Sequence, residues 1–378
     1  MDFDDYEVGF NIPAKTGMKI NEIQTPCLVI DYNKFENNIL KMKNFVVNNN
    51  VKLRPHAKMH KSFNVANYQI KFGGAHGICC QKVSEAEVFA REGIKDILIT
   101  NQITDLFKIN RLTNISKANI KISCCVDDEQ NIININNSAK EKNTSIDLFI
   151  EFDCGANRCG LQSHSEIKNL ISLINSLKFV KFVGFQAYNG SIQHIENFVL
   201  RKEEVVKTCN KIKELKNSFK EFSPIITGVG TGCFDLEVSE NIYDEIQVGS
   251  YAFMDAHYSS LKHDNKINNT NNFENSLFIL SSVMSKALDK HAVVDAGLKS
   301  ISVDSGLPKT NNNNISYIKC SDEHGIIYDP ENSLKINDRL FLIPGHCDPT
   351  CNLHDWYVII KNEIVMDLWR VSARGYSY

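Results

Sequence analysis

The sequence predicts an α/β protein, a (β/α)8 TIM-type barrel followed by a C-terminal β domain. Three observations carry this reading. Short apolar runs alternate with helical periods eight times. The turn after the first run is His-Ala-Lys-Met-His, where an open doubly wound sheet would want a Gly-rich turn. Past Tyr258 the texture becomes polar and then β-rich. The eight runs are 52–58, 77–81, 96–100, 120–126, 147–152, 182–188, 225–228 and 245–249, a spacing that fits a closed barrel better than any open sheet. After the second run a helix is expected over 84–91, with Ser84 as its cap and Glu87 completing a capping box. The Asn-heavy stretch 262–272 has little to bury and marks the expected domain boundary. Beyond it, 276–284, 292–295, 316–319, 339–343 and 356–361 read as strands, and 26–31 is expected to join them. The barrel is therefore assigned to 25–258, with a leading strand and helix at 25–50, and the β domain to 1–24 and 259–378. The Asn-rich patches 131–137 and 311–314 read as loop insertions.

Composition narrows the function classes. A chain of 378 residues, 43% hydrophobic, can bury a large core and exceeds one typical domain. Its net charge is -3 and it shows no basic stripe, which argues against nucleic acid as a partner. The 12 cysteines include the adjacent pairs Cys79-Cys80 and Cys124-Cys125, which lie in apolar runs without zinc or disulfide spacing and read as reduced core residues. The start, MDFDDYEVGF, lacks the basic and apolar regions of a signal peptide. No uncharged apolar run approaches the roughly 18 residues of a bilayer span. A cytoplasmic protein with no membrane association is expected.

The chemistry-bearing residues gather at run ends. Arg54-Pro55-His56-Ala57-Lys58-Met59-His60-Lys61 closes the first run with a lysine among rings and cations. Neighbouring positive charge lowers an amine's pKa and makes it a nucleophile suited to a Schiff base with a carbonyl group. The alternative is a basic surface turn, and Lys61 competes with Lys58, which is nearer the strand end. In such barrels the loops after the seventh and eighth strands often hold phosphate. Here they are Gly228-Val229-Gly230-Thr231-Gly232 and Gly249-Ser250-Tyr251, where glycines admit an anion to backbone N-H groups and Thr231 and Ser250 add hydroxyls. A Gly-x-Gly-x-Gly run alone is equally a tight turn. Gln81 and Tyr188 end the second and sixth runs and face the same mouth. In Pro344-Gly345-His346-Cys347-Asp348-Pro349 an extended backbone would put His346 and Asp348 on one side, as ligands of one ion, and Cys347 on the other.

These stretches, with Gly77-Ile-Cys-Cys-Gln-Lys-Val-Ser-Glu-Ala-Glu87, Glu151-Phe-Asp-Cys-Gly-Ala-Asn-Arg-Cys-Gly160 and Gln247-Val-Gly-Ser-Tyr-Ala-Phe-Met-Asp255, occur in one order from about residue 25 to the end. In that order they resemble the pyridoxal-phosphate enzymes of the D-threonine aldolase, D-3-hydroxyaspartate aldolase and D-serine dehydratase family. The resemblance implies a barrel of the alanine-racemase type. It implies pyridoxal 5'-phosphate bound covalently to Lys58, with Arg158 facing the pyridine nitrogen; the residue-level alternative pairs Arg158 with Asp153 in a structural turn. It also implies two metal ligands, His346 and a partner two residues on. That partner is Asp348 here, a hard carboxylate favouring magnesium or manganese, where the dehydratases carry a cysteine favouring zinc.

The implied reaction is retro-aldol cleavage of a D-3-hydroxy amino acid, 3-hydroxyaspartate or D-threonine, to glycine and an aldehyde. His194 or a metal-bound water would serve as base for the 3-hydroxyl. Arg370, Lys299 and His324 are the candidates for a second substrate carboxylate. The alternatives are a D-serine or 3-hydroxyaspartate dehydratase and a non-catalytic pyridoxal-phosphate-binding protein. Related enzymes imply a homodimer, the β domain of one chain helping to close the other's barrel.

Overall fold

The computed structural model describes residues 6–261 and 273–378. The polar stretch 262–272, expected to mark the domain boundary, lies outside the described residues, as do residues 1–5. The first strand and helix are β1 (Cys27–Asp31) and α1 (Tyr32–Asn48). Asp31 caps that helix, its carboxylate accepting the Lys34 N-H at 3.2 Å.

The barrel strands are β2 (Lys52–Leu53), β3 (Ile78–Cys80), β4 (Asp96–Gln102), β5 (Lys121–Val126), β6 (Ile146–Glu151), β7 (Val180–Ala187), β8 (Ile225–Gly228) and β9 (Glu245–Ile246). All pair in parallel, in the order β2-β9-β8-β7-β6-β5-β4-β3. Bridges from Leu53 to Ala75 and from His56 to Cys79 join the two ends and close the ring. Seven helices connect successive strands: α2 (Phe63–Lys71), α3 (Val83–Glu92), α4 (Leu106–Lys117), α5 (Glu129–Glu141), α6 (His164–Ser176), α7 (Phe198–Ser218) and α8 (Phe234–Ser239). The eighth helical place is taken by α1, whose Phe35 packs on Phe253 and whose Asn38 amide donates to Ala252 O at 3.2 Å. Each of the eight apolar runs thus becomes a barrel strand, and the alternation arises because a parallel strand needs a helical return.

The adjacent cysteines follow from the strand period of two. Cys79 and Cys125 point into the barrel with Leu98 and Phe149, while Cys80 and Cys124 face the helices. All twelve cysteines are free thiols, and burial pushes the Cys124 thiol up to about 12, which leaves it unreactive.

The second sheet runs β13-β14-β11-β10-β1-β16-β17, with β15 pairing β10 and β12. Its strands are β10 (Leu277–Ser285), β11 (His291–Val294), β12 (Lys309–Thr310), β13 (Ser316–Cys320), β14 (Gly325–Tyr328), β15 (Arg339–Ile343), β16 (Trp356–Lys361) and β17 (Ile364–Arg370), with α9 (Cys347–Cys351) between β15 and β16. β1 lies between β10, antiparallel, and β16, parallel, so the chain's first strand is laid into this sheet before the barrel begins.

Three local expectations are corrected. Ser84 is inside α3, whose N-cap is Lys82; its hydroxyl donates to Tyr378 O, and Glu85 rather than Glu87 folds back, accepting the Gln81 N-H at 2.6 Å. Residues 131–137 form part of α5, since Ile132 and Ile135 are buried, Asp128 caps the helix, and the Asn131 amide donates to Ile103 O at 2.6 Å. Strands β12, β14 and β17 were not anticipated; in β17 exposed Met366 and Asp367 interrupt the apolar alternation.

Candidate active site

The C-terminal ends of the barrel strands open onto a cleft of about 180 Å³ that also reaches α9 of the second sheet. Beyond β2 the chain bridges to β3, with the Ala57 N-H donating to Cys79 O at 2.8 Å, and then turns back as the Lys61 N-H donates to Ala57 O at 2.8 Å. Lys58 sits at this turn and projects into the cleft. Its ammonium lies 3.8 Å from Asp348 Oδ2, with the side chain 45% exposed.

The expected ring of cations around Lys58 is not there. Arg54 points to the opposite end of the barrel, where its guanidinium meets Glu245 at 2.9 Å, Asp96, and His76 at 2.8 Å. His60 is wholly buried, and burial holds its ring neutral at about 3. Lys61, at φ 48, turns its amine to Glu85 at 3.5 Å and is buried. Only His56 stays beside Lys58. Its Nδ1 accepts the Lys58 N-H at 3.3 Å, so Nε2 carries the proton toward Thr100 Oγ1 at 2.9 Å. Burial, and then the Lys58 charge, hold this ring well below the usual histidine value.

The two glycine loops border the same cleft through Gly230, Thr231, Gly249 and Ser250. Thr231 Oγ1 is buried without a hydrogen-bond partner. A Cβ on Gly249 would lie 2.9 Å from His56 O, so only glycine fits there. Val229 takes φ +75, a region a β-branched residue rarely adopts, and this turns the loop across the barrel mouth. Two expected contributors stand apart. Tyr251 is buried, its hydroxyl accepting from the Gln69 amide at 3.1 Å, and Gly232 lies against the Gln193 carbonyl, which a Cβ would approach to 2.1 Å.

After β6, Asp153 organises the turn by accepting the N-H groups of Gly155 and Asn157, both at 3.0 Å, and the Gln162 amide at 2.8 Å. The alternative Arg158 to Asp153 pair is therefore not formed. Arg158 lies 3.7 Å from Glu151 and 5.8 Å above the Tyr188 ring, at the cleft edge. Gln81 exchanges hydrogen bonds with Thr100, at 3.4 Å to its carbonyl and 3.3 Å from its hydroxyl. His194 stacks on His257 with ring centroids 4.6 Å apart. Burial, then His257, His346 and Lys58, lower its pKa, which favours the uncharged imidazole.

His346 and Asp348 do meet, by a different backbone from the extended one expected. His346 caps the short helix α9, and Asp348 lies in its first turn. Cys347 is drawn into the core by Asp255, which accepts its N-H at 3.2 Å, and by Met254 O, 3.1 Å from its thiol. His346 Nε2 is 3.7 Å from Asp348 Oδ1. Two ligands of one divalent ion stand roughly 3–4 Å apart, so an imidazole and a carboxylate at this separation are spaced to share one divalent cation. His346 Nδ1 donates to Asp304 Oδ2 at 2.7 Å, which directs the Nε2 lone pair at the cleft.

Sequence reasoning placed His56 beside Lys58 only as a neighbouring ring, and gave no site role to Thr100, Gln186, Gln247, Tyr258 and Asp304. Gln186 and Gln247 face each other at 2.7 Å and line the cleft; Gln186 interrupts the otherwise apolar run 182–188, which was a usable signal. Asp304 gave none, being 42 residues from His346 in an irregular segment. Arg370, Lys299 and His324 do not border the cleft; Arg370 lies over Trp356, and Lys299 pairs with Glu323.

Comparison with known proteins gives the family and the fold. Residues 30–257 match the model of the alanine racemase N-terminal domain, and residues 276–360 that of a putative serine dehydratase domain. The chain is 46% identical to a 3-hydroxy-D-aspartate aldolase of Paracoccus denitrificans (strain Pd 1222), over 100% of this chain and 99% of the relative. It is 37% identical to a D-threonine aldolase of Arthrobacter sp, covering 97% and 96% of the two chains. The crystal structure of D-threonine aldolase from Filomicrobium marinum superposes with a TM-score of 0.92 at 32% identity, over 97% of this chain and 100% of that one.

Proposed function

This chain belongs to the family of the D-threonine and 3-hydroxy-D-aspartate aldolases, lyases built on the alanine racemase N-terminal domain, and from that premise we propose that it cleaves a D-3-hydroxy amino acid to glycine and an aldehyde. Its substrate is a 3-hydroxyaspartate, cleaved to glycine and glyoxylate, in keeping with the higher identity to the relative of that name. The observation that carries the reading is the 3.8 Å approach of Lys58 to Asp348, which puts an amine beside the His346 and Asp348 side chains in one small cleft.

The residues present fit both groups that the family implies. Thr231 Oγ1, buried and unpaired, together with Ser250 and the backbone at Gly249, would hold the phosphate of pyridoxal phosphate, and Lys58 its aldehyde. Arg158 would face the ring nitrogen. When bound, this cofactor supplies the electron sink for the pair left on Cα. His346 and Asp348 would hold magnesium or manganese, an ion that lowers the pKa of a hydroxyl it touches. His194 lies at the same mouth, where burial favours its uncharged form, and would accept the 3-hydroxyl proton as the Cα-Cβ bond breaks. His56, fixed by Thr100, keeps one tautomer and presents an uncharged face beside Lys58.

The test is to incubate the protein and cofactor with D-threo- and D-erythro-3-hydroxyaspartate, D-threonine and D-serine, with and without chelator, and to identify each carbonyl product. Glycine with glyoxylate, lost on chelation and restored by magnesium or manganese, is expected. Pyruvate from D-serine, or full activity after exhaustive chelation, would overturn the reading.

A further inference from the structure

Behind the glycine loop after β8 lies a buried carboxyl group that the reaction does not use. Glu237, on α8, is 0% exposed. Its Oε2 accepts the Gln193 side-chain N-H at 3.1 Å and the Gly230 backbone N-H at 3.4 Å, and its Oε1 accepts the Tyr243 hydroxyl at 3.3 Å. The same hydroxyl lies 3.2 Å from Ala187 O, at the end of β7. One side chain thus ties together the loop that carries His194, the loop that carries Thr231, and the segment leading into β9. The fit is tight, since a Cβ on Gly230 would stand 2.5 Å from the Gln193 amide.

Other titratable groups face this carboxyl from every packed element. They are Asp235 on its own helix, the thiols of Cys154, Cys209 and Cys233, and the phenols of Tyr188 and Tyr243; Arg201 is the cation on this side and faces Cys233. Burial raises Glu237 to about 7, against the three hydrogen bonds that lower it. A second observation points the same way. Gln193 Oε1 is buried and has no partner. After an amide rotation it is the acceptor that a protonated Glu237 would use.

We infer that Glu237 is a positioning residue for the cofactor's phosphate, holding the Gly230 amide and Gln193 in place and binding the dianion best when its own carboxyl is uncharged. This rests on the pyridoxal-phosphate reading above. An ionised Glu237 one residue behind Thr231 would repel a phosphate dianion, so phosphate binding and protonation of Glu237 are linked.

The experiment compares the dissociation constants of pyridoxal phosphate and pyridoxal, which lacks the phosphate, for the apoprotein between about pH 6.5 and 9. The phosphate's own second pKa is about 6, below this range. Titration of Lys58 affects both ligands and cancels in their ratio. The preference for the phosphorylated ligand should fall about tenfold on rising through the Glu237 pKa, the scale of one partly screened charge repulsion. Glu237→Gln keeps the hydrogen-bonding shape without the charge and should hold the preference constant. Tyr243→Phe removes a donor to the carboxylate and should move the inflection to higher pH, a readout available even if Glu237→Gln folds poorly. The same pH-dependent preference in Glu237→Gln, or an unmoved inflection in Tyr243→Phe, would overturn the proposal. A wild-type apoprotein that captures neither ligand would overturn the cofactor reading and this proposal with it.

Discussion

Arg54→Met should cost the protein stability while leaving its chemistry in place, although Arg54 opens the stretch that carries Lys58. The guanidinium is 5% exposed and pairs with Glu245, 4% exposed, and with Asp96, 18% exposed, which Lys121 also meets at 3.0 Å. Burial alone would raise the Glu245 carboxyl, but the hydrogen bond from His76 and the Arg54 charge outweigh it and hold the group at about 2 against an ordinary 4.5. That fall corresponds to about 3 kcal/mol of stability. Because the folded value is depressed, the contribution is fully present above pH 4.5 and is lost as pH falls toward 2. A buried charge left with no partner costs roughly 3–5 kcal/mol, an upper bound here because Asp96 keeps Lys121 at 3.0 Å and Glu245 keeps His76 at 2.7 Å. Urea unfolding followed by far-UV circular dichroism should therefore show Arg54→Met less stable by up to that amount at pH 7. The gap should narrow below pH 4.5, where Glu245 of the variant can take a proton. The surviving folded protein should still bind cofactor at Lys58. An unchanged unfolding midpoint together with lost cofactor binding would refute this, placing Arg54 in the cleft chemistry.

Borohydride reduction with pyridoxal phosphate should fix a label on Lys58, found by peptide mass spectrometry, that Lys58→Ala abolishes and Lys61→Ala retains; label on Lys61 in the first variant would reverse the assignment. Thr231→Val should leave the unfolding midpoint unchanged, because Oγ1 has no partner to lose, yet weaken pyridoxal phosphate about tenfold, the value of a hydrogen bond to a charged group, with little effect on pyridoxal. Equal loss for both ligands would deny Thr231 a phosphate role. Asp304→Ala should reduce manganese affinity by about 10- to 100-fold by titration calorimetry, because His346 loses the acceptor that aims its Nε2. Unchanged affinity would show that the ion does not use His346 in this orientation.

The barrel was legible because each parallel strand is buried on both faces and so reads as an apolar run, as at 96–100 and 147–152. The glycine loops and Lys58 were legible because a strand count alone places them at one mouth. What was hidden had its cause in tertiary contacts. The asparagines of α5 read as loop because their partners, Ile103 O for Asn131 and the Phe179 N-H for Asn136, come from elsewhere in the chain. The cations around Lys58 read as one cluster because sequence distance does not reveal that Arg54 and Lys61 are claimed by Glu245 and Glu85. His346 and Asp348 were paired by an argument from extended backbone, where burial of Cys347 in a helical turn produces the same juxtaposition.

The most direct test of the proposed reaction follows one carbon. D-3-hydroxyaspartate labelled with carbon-13 at C3 is supplied to the protein with pyridoxal phosphate and manganese, and the products are read by carbon NMR. Cleavage between Cα and Cβ carries the label into the hydrated aldehyde carbon of glyoxylate, beside unlabelled glycine, and Lys58→Ala yields neither. Label in the methylene carbon of a four-carbon keto acid, with release of ammonia, would show that the hydroxyl leaves while the carbon bond stays intact, and would contradict the aldolase assignment.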